Sequence, residues 1–341
     1  MKVLLLTEAN RFEYTEMPAP SVGDSDVLIR VEAVGICGSD VHGMSGKTGR
    51  RIPPIVMGHE AAGVVVETGS RVSQVAVGDR VTFDSTVYCN SCPYCRSGRV
   101  NLCSSRRVLG VSCAEYRQHG AMAELVAVPQ HILYKLPDAV SFEEAAMIEP
   151  ASIAFHAVRR ARIGLGESVA VFGCGIIGLL IIRAARLAGC GKLFAVDVNA
   201  GRLEAAREMG ADVLIDSSRE DPVGIIRSSG EGAEACFEAV GIGPTVSAAT
   251  ESVRKGGRLV LVGNVSPEVT LGLQSVVTRE IDLLGSCASS GEYPAILDAI
   301  AAGRLSLGPL ISVRAPLSQG AEWFRRLAAS DGSLLKVILK P

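Results

Sequence analysis

The sequence predicts an α/β protein built from two parts, an all-β unit followed by a doubly wound parallel sheet. Residues 1–145 carry short apolar runs rich in Val and Ile and separated by Gly, Pro and Asp, a pattern typical of β-strands. From about Phe142 apolar residues recur at helical intervals, and strand-length and helix-length segments then alternate. Such alternation favours parallel strands joined by helical crossovers.

The individual elements follow from these patterns in chain order. The first part is predicted to contain the strands Val27–Val34, Ala62–Glu67, Asp79–Phe83 and Met122–Val128. The second part opens with helices at Phe142–Met147 and Ile153–Ala161. Its six predicted strands are Ser168–Phe172, Leu193–Val196, Val213–Ile215, Ala235–Ala239, Arg258–Val262 and Ile281–Gly285, with helices at Gly178–Ala188 and Arg202–Met209. The tail is predicted to form helices Pro294–Ala302 and Ala321–Ala329 and strand Leu334–Leu339, and periodicity leaves open which part it joins.

Length and composition exclude several classes of protein. A chain of 341 residues with 48% hydrophobic and 21% charged residues is expected to fold into two domains. A net charge of −2, with both signs dispersed, provides no basic surface for nucleic acid or lipid. No uncharged stretch reaches the ~20 residues that a membrane helix needs, and the first residues do not resemble a secretory signal. The expected compartment is the cytoplasm, with no nucleic-acid or membrane partner.

A glycine-rich turn predicts a dinucleotide site in the second part. Gly173, Gly175, Ile176, Ile177 and Gly178 lie in the segment GCGIIG, directly after a predicted strand and at the start of a helix. Glycines there permit a tight turn and close approach of a pyrophosphate to the helix N-terminus.

The motif gains specificity from an acidic residue on the next strand. Asp197 ends that strand, where a carboxylate can accept hydrogen bonds from the ribose hydroxyls. The carboxylate favours NAD over NADP, although Arg202 nearby leaves NADP open. A glycine-rich turn without a ligand is the structural alternative.

Four cysteines predict a structural zinc site. Cys89, Cys92, Cys95 and Cys103 lie within fifteen residues, in a segment rich in turn-forming residues that we call the cysteine lobe. Four thiolates fit a closed tetrahedral zinc that stabilises a loop too polar to form a core. A redox dithiol and a DNA-binding zinc ribbon are the alternatives.

A second set of potential metal ligands comes from two separate segments of the first part. Cys37 precedes Ser39, Asp40 and His42, and His59 is followed by Glu60. A catalytic zinc needs three protein ligands and one open position, and Cys37, His59 and one glutamate satisfy that requirement.

These motifs resemble the zinc-containing medium-chain alcohol dehydrogenases, and within them the branch of polyol (sorbitol-like) and threonine dehydrogenases. The resemblance covers essentially the whole chain and includes the Gly-His-Glu strand, the cysteine lobe, the glycine turn and Asp197. It implies a GroES-like catalytic domain formed by residues 1–150 and 285–341, with a Rossmann domain at 151–284 inserted between them. It also implies one catalytic and one structural zinc per chain, NAD as cofactor, and assembly into a homodimer or homotetramer.

The resemblance also implies roles for individual residues. Cys37 and His59 correspond to zinc ligands of the family, and Glu60 and Glu149 are expected to share the remaining coordination. Asp40 would orient the His59 ring. Zinc would lower the pKa of the substrate hydroxyl, and Ser39, expected on the same face of an extended chain as Cys37, would pass the proton through the cofactor ribose to His42. A surface histidine is the alternative for His42.

Other features leave the substrate open. Gly43-Met44 replaces a tyrosine that sorbitol dehydrogenases typically place after the relay histidine, which weakens a prediction of sorbitol itself. Arg279 and Glu280 resemble a pair that contacts substrate hydroxyls in polyol enzymes. The alternative is that they form an ordinary surface ion pair. A second basic group consists of Lys47, Arg50 and Arg51. It is expected either to recognise a phosphate or carboxylate on the substrate or to belong to a solvated loop. The cysteines expected to be small core residues are Cys113, Cys174, Cys190, Cys236 and Cys287.

The leading hypothesis is therefore an NAD- and zinc-dependent dehydrogenase. It would oxidise a secondary alcohol of a polyol or sugar alcohol to a ketone. The alternatives are a threonine or short-chain diol dehydrogenase and, in a different class, a non-catalytic zinc-stabilised NAD-binding protein.

Overall fold

The computed structural model describes residues 1–329 and 332–341. In it the chain divides into two units. Unit 1 consists of Met1–Glu149 and Ser290–Pro341, and unit 2 is the intervening segment Pro150–Ser289. The boundaries that the sequence predicts, at residues 150 and 285, lie one and five residues from these.

Strands β1 to β12 lie in the first segment of unit 1. They are Lys2–Glu8, Arg11–Glu16, Asp26–Gly35, Ile55–Val56, Glu60–Thr68, Arg80–Phe83, Thr86–Val87, Arg107–Val108, Val111–Ser112, Arg117–Gln118, Leu125–Pro129 and Leu133–Lys135. Strands β13 to β18 lie in unit 2. They are Val169–Phe172, Leu193–Asp197, Val213–Asp216, Ala233–Glu238, Val253–Leu261 and Asp282–Gly285. The tail returns to unit 1 and adds β19 (Ile311–Pro316) and β20 (Lys336–Lys340).

The helices are mostly concentrated in unit 2 and in the tail. Numbered α1 to α11, they are Gly38–Gly43, Pro93–Arg96, Phe142–Ala146, Ile148–Ala161, Ile176–Leu187, Ala200–Met209, Pro222–Ser228, Gly243–Ser252, Leu273–Thr278, Tyr293–Ala301 and Gly320–Ala329. Single 3₁₀ turns occur at Val100–Leu102, Gln130–Ile132, Gly308–Leu310 and Leu317–Gln319. Among the described residues, no helix is both long enough and apolar enough to span a membrane.

A seven-stranded sheet organises unit 1. Its order is β12-β6-β5-β3-β20-β19, and β11 pairs with β3. The central strand β3 is buried over most of its length, and its residues Val27, Ile29 and Val34 are fully buried in the core of the unit. Because β20 pairs with β3 at Gly35 and Val34, the tail belongs to this unit, a question that periodicity had left open.

Unit 2 is a six-stranded sheet in the order β15-β14-β13-β16-β17-β18. Every neighbouring pair is parallel, which confirms the predicted doubly wound sheet. Strand β13 lies between β14 and β16 and is buried along its whole length. Strand order reverses direction at β13, so the crevice at its carboxyl end is the position where this fold binds ligands.

Candidate metal centres and cofactor site

Cys37, His59 and Glu60 come together although they belong to two different segments of unit 1. Each offers one ligand atom, and these atoms all lie within 4.8 Å of one another. Cys37 directly precedes α1, whereas His59 and Glu60 lie where β5 begins, after Gly58 with its positive φ of 95°. Burial and the nearby Glu60 carboxylate raise the pKa of the Cys37 thiol to about 12. A bound cation supplies the opposing charge that a thiolate in this position needs, so this donor set fits zinc.

Glu60 is also part of a buried ion pair that the sequence pattern did not indicate. Lys336 donates from Nζ to both carboxylate oxygens of Glu60, at 2.9 and 2.6 Å, and to the Ile36 carbonyl at 3.2 Å. Both side chains are 1% exposed. Gly35 makes room for the carboxylate, because a Cβ there would lie 2.2 Å from Glu60 Oε2. Burial acts to lower the pKa of Lys336, but Glu60 and Cys37 outweigh it and the net shift is upward.

His59 faces the Asp40 carboxylate, as the resemblance implied. His59 Nδ1 lies 3.6 Å from Asp40 Oδ1, and both side chains are buried. Among the described residues, neither His59 Nδ1 nor Asp40 Oδ2 has a hydrogen-bond partner. An imidazole that donates from Nδ1 to this carboxylate keeps Nε2 deprotonated, and Nε2 is then the atom available to a metal.

Ser39 lies close to Cys37 for a different reason from the one predicted. The chain is extended only at Cys37, with φ −87° and ψ 148°, and it turns at once into α1, which contains Ser39 and His42. The expectation of an extended segment is therefore wrong. Ser39 Oγ nevertheless donates to Cys37 Sγ at 3.3 Å, because Cys37 is the N-cap of α1 and Ser39 lies in the first turn of that helix. Ser39 and His42 are both exposed and, three residues apart on a helix, lie on one face.

Glu149 lies in the first turn of α4 and is not part of the three-residue cluster. Its Oε1 accepts a hydrogen bond from Ser85 Oγ at 3.0 Å. Burial, together with the charges of Glu60 and Cys37, raises the pKa of Glu149 to about 8, while His59 acts in the opposite direction. The structure thus places Glu149 within electrostatic range of the cluster and directly against a serine that sequence reasoning missed.

The sulfur atoms of the cysteine lobe also fit a tetrahedral ion. Its four sulfurs lie within 4.8 Å of one another, with Cys92 and Cys95 at 3.5 Å and Cys89 and Cys95 at 4.0 Å. For Zn–S bonds of about 2.3 Å, a regular tetrahedron has S···S edges of about 3.8 Å. Hydrogen bonds from the Ser91 side chain and backbone and from the Cys92 amide lower the pKa of Cys89 to about 5, which favours the thiolate.

The glycine turn has the shape that a pyrophosphate needs. Gly173 has a φ of 93°, and a Cβ at Gly178 would lie 1.8 Å from the Gly173 carbonyl oxygen, so α5 packs directly on the turn. A Cβ at Gly175 would meet nothing within 4 Å. The open space lies at the N-terminus of α5, whose first residues are Ile176 and Ile177. These features fit a nucleotide phosphate bound at the helix N-terminus.

Asp197 ends β14 beside this turn. Its Oδ2 accepts from the Cys174 amide at 2.7 Å, and its Oδ1 accepts from the Val198 and Asn199 amides at 2.8 and 2.9 Å. Oδ1 thus accepts two hydrogen bonds and Oδ2 one, so Oδ2 retains a lone pair for a ribose hydroxyl. Arg202 Nη1 lies 4.0 Å from Asp197 Oδ2 and its side chain is one-third exposed.

Several other sequence-based interpretations are decided by the structure. Arg279 donates to the Thr250, Glu251 and Val253 carbonyls, so it caps the end of α8 instead of being presented to a substrate. Cys287 is exposed and Cys113 is half-buried, so the prediction that they are core residues is wrong, whereas three others are buried: Cys174, Cys190 and Cys236. Arg51, expected to meet a substrate anion or solvent, is 4% exposed and bound to Asp40.

Comparison with known proteins agrees with this geometry. Residues 23–138 match the family model described as an alcohol dehydrogenase GroES-like domain, and residues 177–302 match the model of a zinc-binding dehydrogenase. The chain is 38% identical to an L-idonate 5-dehydrogenase of Vitis vinifera, over 94% of this chain and 89% of that protein. The chain belongs to the zinc-binding alcohol dehydrogenase family.

Other members of the family align over their full length. A sorbitol dehydrogenase of Bacillus subtilis (strain 168) is 33% identical, over 100% of this chain and 97% of that protein. A zinc-binding dehydrogenase from Sinorhizobium meliloti 1021, solved bound to NADP, superposes with a TM-score of 0.92 at 32% identity, over 100% of this chain and 99% of that chain. The present chain thus has the predicted architecture, with a GroES-like unit and a Rossmann sheet, and it is an oxidoreductase.

Proposed function

We propose that this enzyme oxidises a secondary alcohol of a polyol or sugar alcohol to the ketone, with NAD as the oxidant and one catalytic and one structural zinc per chain. The observation that carries the proposal is the convergence of the Cys37, His59 and Glu60 ligand atoms within 4.8 Å, with the half-buried Glu149 in electrostatic range of them. By resemblance to the family, a glutamate at position 149 is typical of the polyol dehydrogenases. The named relatives that act on sorbitol and L-idonate support the same substrate class.

The chain's own residues supply binding and proton transfer. Zinc, when bound, acts as a Lewis acid that makes loss of the alcohol proton easier, and NAD, when bound, accepts the hydride. Ser39 is exposed, lies against Cys37, and can accept and return a proton through its hydroxyl. His42, three residues further along α1, is exposed and exchanges the proton with solvent.

The cofactor preference rests on Asp197. Three backbone amides fix the carboxylate at the end of β14, where its negative charge opposes a 2′-phosphate. Arg202 is close enough to favour such a phosphate, and the similar enzyme from Sinorhizobium meliloti 1021 was solved bound to NADP. We expect kcat/KM with NAD to exceed that with NADP, and Asp197→Ser to reduce or reverse the ratio.

The decisive assay follows NADH absorbance with a panel of polyols, phosphorylated polyols, L-threonine and vicinal diols. The proposal predicts turnover with polyols that is lost in Cys37→Ala and His59→Ala, while NAD binding, measured by calorimetry, is retained. Turnover with threonine or diols alone would contradict the polyol assignment and support a threonine or diol dehydrogenase. A protein with a single zinc in the cysteine lobe and no turnover would instead support the non-catalytic alternative. Assembly into a homodimer or homotetramer and location in the cytoplasm stay predictions.

A further inference from the structure

Arg51 lies at the end of the loop between α1 and β4, and its side chain turns back into unit 1 instead of into solvent. Its side chain is 4% exposed. The loop is tied to β9, because the Ile52 amide donates to the Ser112 carbonyl and the Ser112 amide donates to the Arg50 carbonyl. Gly43 provides the space, since a Cβ there would lie 2.5 Å from Arg51 Cγ.

All three guanidinium nitrogens of Arg51 are engaged. Nε and Nη2 donate to Asp40 Oδ1 at 3.0 and 2.7 Å, Nη2 also donates to Ser39 Oγ at 3.4 Å, and Nη1 donates to the Arg50 carbonyl at 2.9 Å. These contacts use four of the five guanidinium N–H groups, so only one Nη1 N–H remains and Arg51 cannot bind a substrate phosphate with two parallel hydrogen bonds. Its neighbours Lys47 and Arg50 remain exposed, so only Arg51 of the basic group is part of the protein interior.

The contacts of Arg51 lead to the metal cluster by two routes. The first route passes through Asp40. Its Oδ1 accepts two hydrogen bonds from Arg51 and lies 3.6 Å from His59 Nδ1. Through Ser39, Arg51 reaches Cys37 Sγ, to which the serine hydroxyl donates at 3.3 Å. Asp40 is fully buried, and a buried carboxylate without a cationic partner is strongly disfavoured. Arg51 therefore holds the residue that faces the imidazole.

We infer that Arg51 is a positioning residue for the catalytic metal, because it fixes the Asp40 carboxylate against His59 and thereby sets how tightly the cluster binds its ion. The inference rests on the metal site of the proposed function but not on the substrate class. Loss of a partner that orients a metal-binding histidine typically lowers metal affinity by about 10- to 100-fold. Arg51 is contributed by a loop that contains no ligand itself.

The test is a Co²⁺ titration of chelator-treated full-length protein, read by the ligand-field bands of the Cys/His/carboxylate site. The intense thiolate charge-transfer bands of the cysteine lobe serve as an internal reference. Arg51→Met should weaken Co²⁺ binding at the catalytic site by about 10- to 100-fold and leave the lobe unchanged. Arg51→Lys should recover part of the affinity, because an ammonium supplies charge without the planar fork.

Arg80→Met is the matched control. Arg80 is an arginine of the same unit whose guanidinium, among the residues that the structure describes, donates to the backbone carbonyls of Pro137, Asp138 and Val140 and to no carboxylate. Its loss should lower the melting temperature without changing Co²⁺ affinity. Asp40→Asn should weaken binding as much as Arg51→Met does.

The double variant Asp40→Asn/Arg51→Met removes both charges, and it keeps the inference testable if Arg51→Met alone does not fold. It should bind Co²⁺ within about threefold of Asp40→Asn. A further tenfold loss in the double variant, or an Arg51→Met protein with wild-type affinity, would overturn the inference. Since neither alcohol nor nucleotide is present, a failure of the polyol assay leaves this result intact.

Discussion

Replacing Lys336 by Met should be among the most destabilising single changes in unit 1, although Lys336 has no direct role in the proposed chemistry. The substitution leaves the Glu60 carboxylate, 1% exposed, without the ammonium that contacts both of its oxygens. Removal of one partner from a buried ion pair typically costs about 3–5 kcal/mol. For a unit of about 200 residues, each kcal/mol lowers the melting temperature by about 2–4 °C. The expected fall is therefore about 6–20 °C.

The same strand offers a matched control. Lys340, at the end of β20, contacts Glu143 at the same distance of 2.6 Å, but its side chain is 52% exposed. Exposed pairs contribute about 0–1 kcal/mol, so Lys340→Met should lower the melting temperature by no more than about 4 °C. The difference between the two variants isolates the effect of burial.

The assay is thermal unfolding of chelator-treated protein, so that changes in zinc affinity do not enter. The double variant Lys336→Met/Glu60→Gln should recover most of the loss, because neither buried charge remains. Equal shifts for Lys336→Met and Lys340→Met, or a double variant no more stable than Lys336→Met, would refute this reasoning.

Three further predictions concern the other parts of the molecule. Glu149 has a pKa of about 8 in the folded metal-free protein and about 4.5 when unfolded, so between these pH values the folded state binds the extra proton. The free energy of unfolding should therefore fall as pH rises from 4.5 to 8. Glu149→Gln should flatten this dependence, as urea titrations at several pH values would show. Gly175→Ala should fold with near wild-type stability but bind NAD weakly, whereas Gly178→Ala should lose stability as well, as thermal unfolding with and without NAD would show. Cys95→Ser should lower the zinc content by one ion per chain and permit trypsin cleavage in the cysteine lobe, and two ions per chain in that variant would argue against the assignment.

The strands of unit 2 and its helices α5 and α6 were predictable because their signals are local, whereas α7, α8 and α9 were not predicted. The strands of a buried parallel sheet are continuous apolar runs, and the glycine turn combines a strand, a tight bend and a helix within a few residues. The structure moves the ends of these elements by only a few residues, as for β14, predicted at Leu193–Val196 and observed at Leu193–Asp197. Pairing between distant segments leaves no such local signal, which is why β19 was not predicted.

The potential metal ligands were recognisable from the sequence, but their environment was not. Cysteine spacing and the Gly-His-Glu segment are properties of the covalent chain, so they identify potential metal ligands without knowledge of the fold. A lysine at position 336 and an arginine at position 51 look like surface charges in the sequence. Only the pairing of β20 with β3, and the return of the 44–54 loop onto α1, brings them into the interior.

The sequence by itself thus determined which side chains are able to bind zinc and nucleotide, because ligand chemistry and backbone freedom belong to residue types. The tertiary structure decided which charges offset one another around Glu60 and Asp40. Charge compensation in a buried site depends on distances of a few ångströms between residues that are up to 276 positions apart in the chain, and those distances exist only after folding.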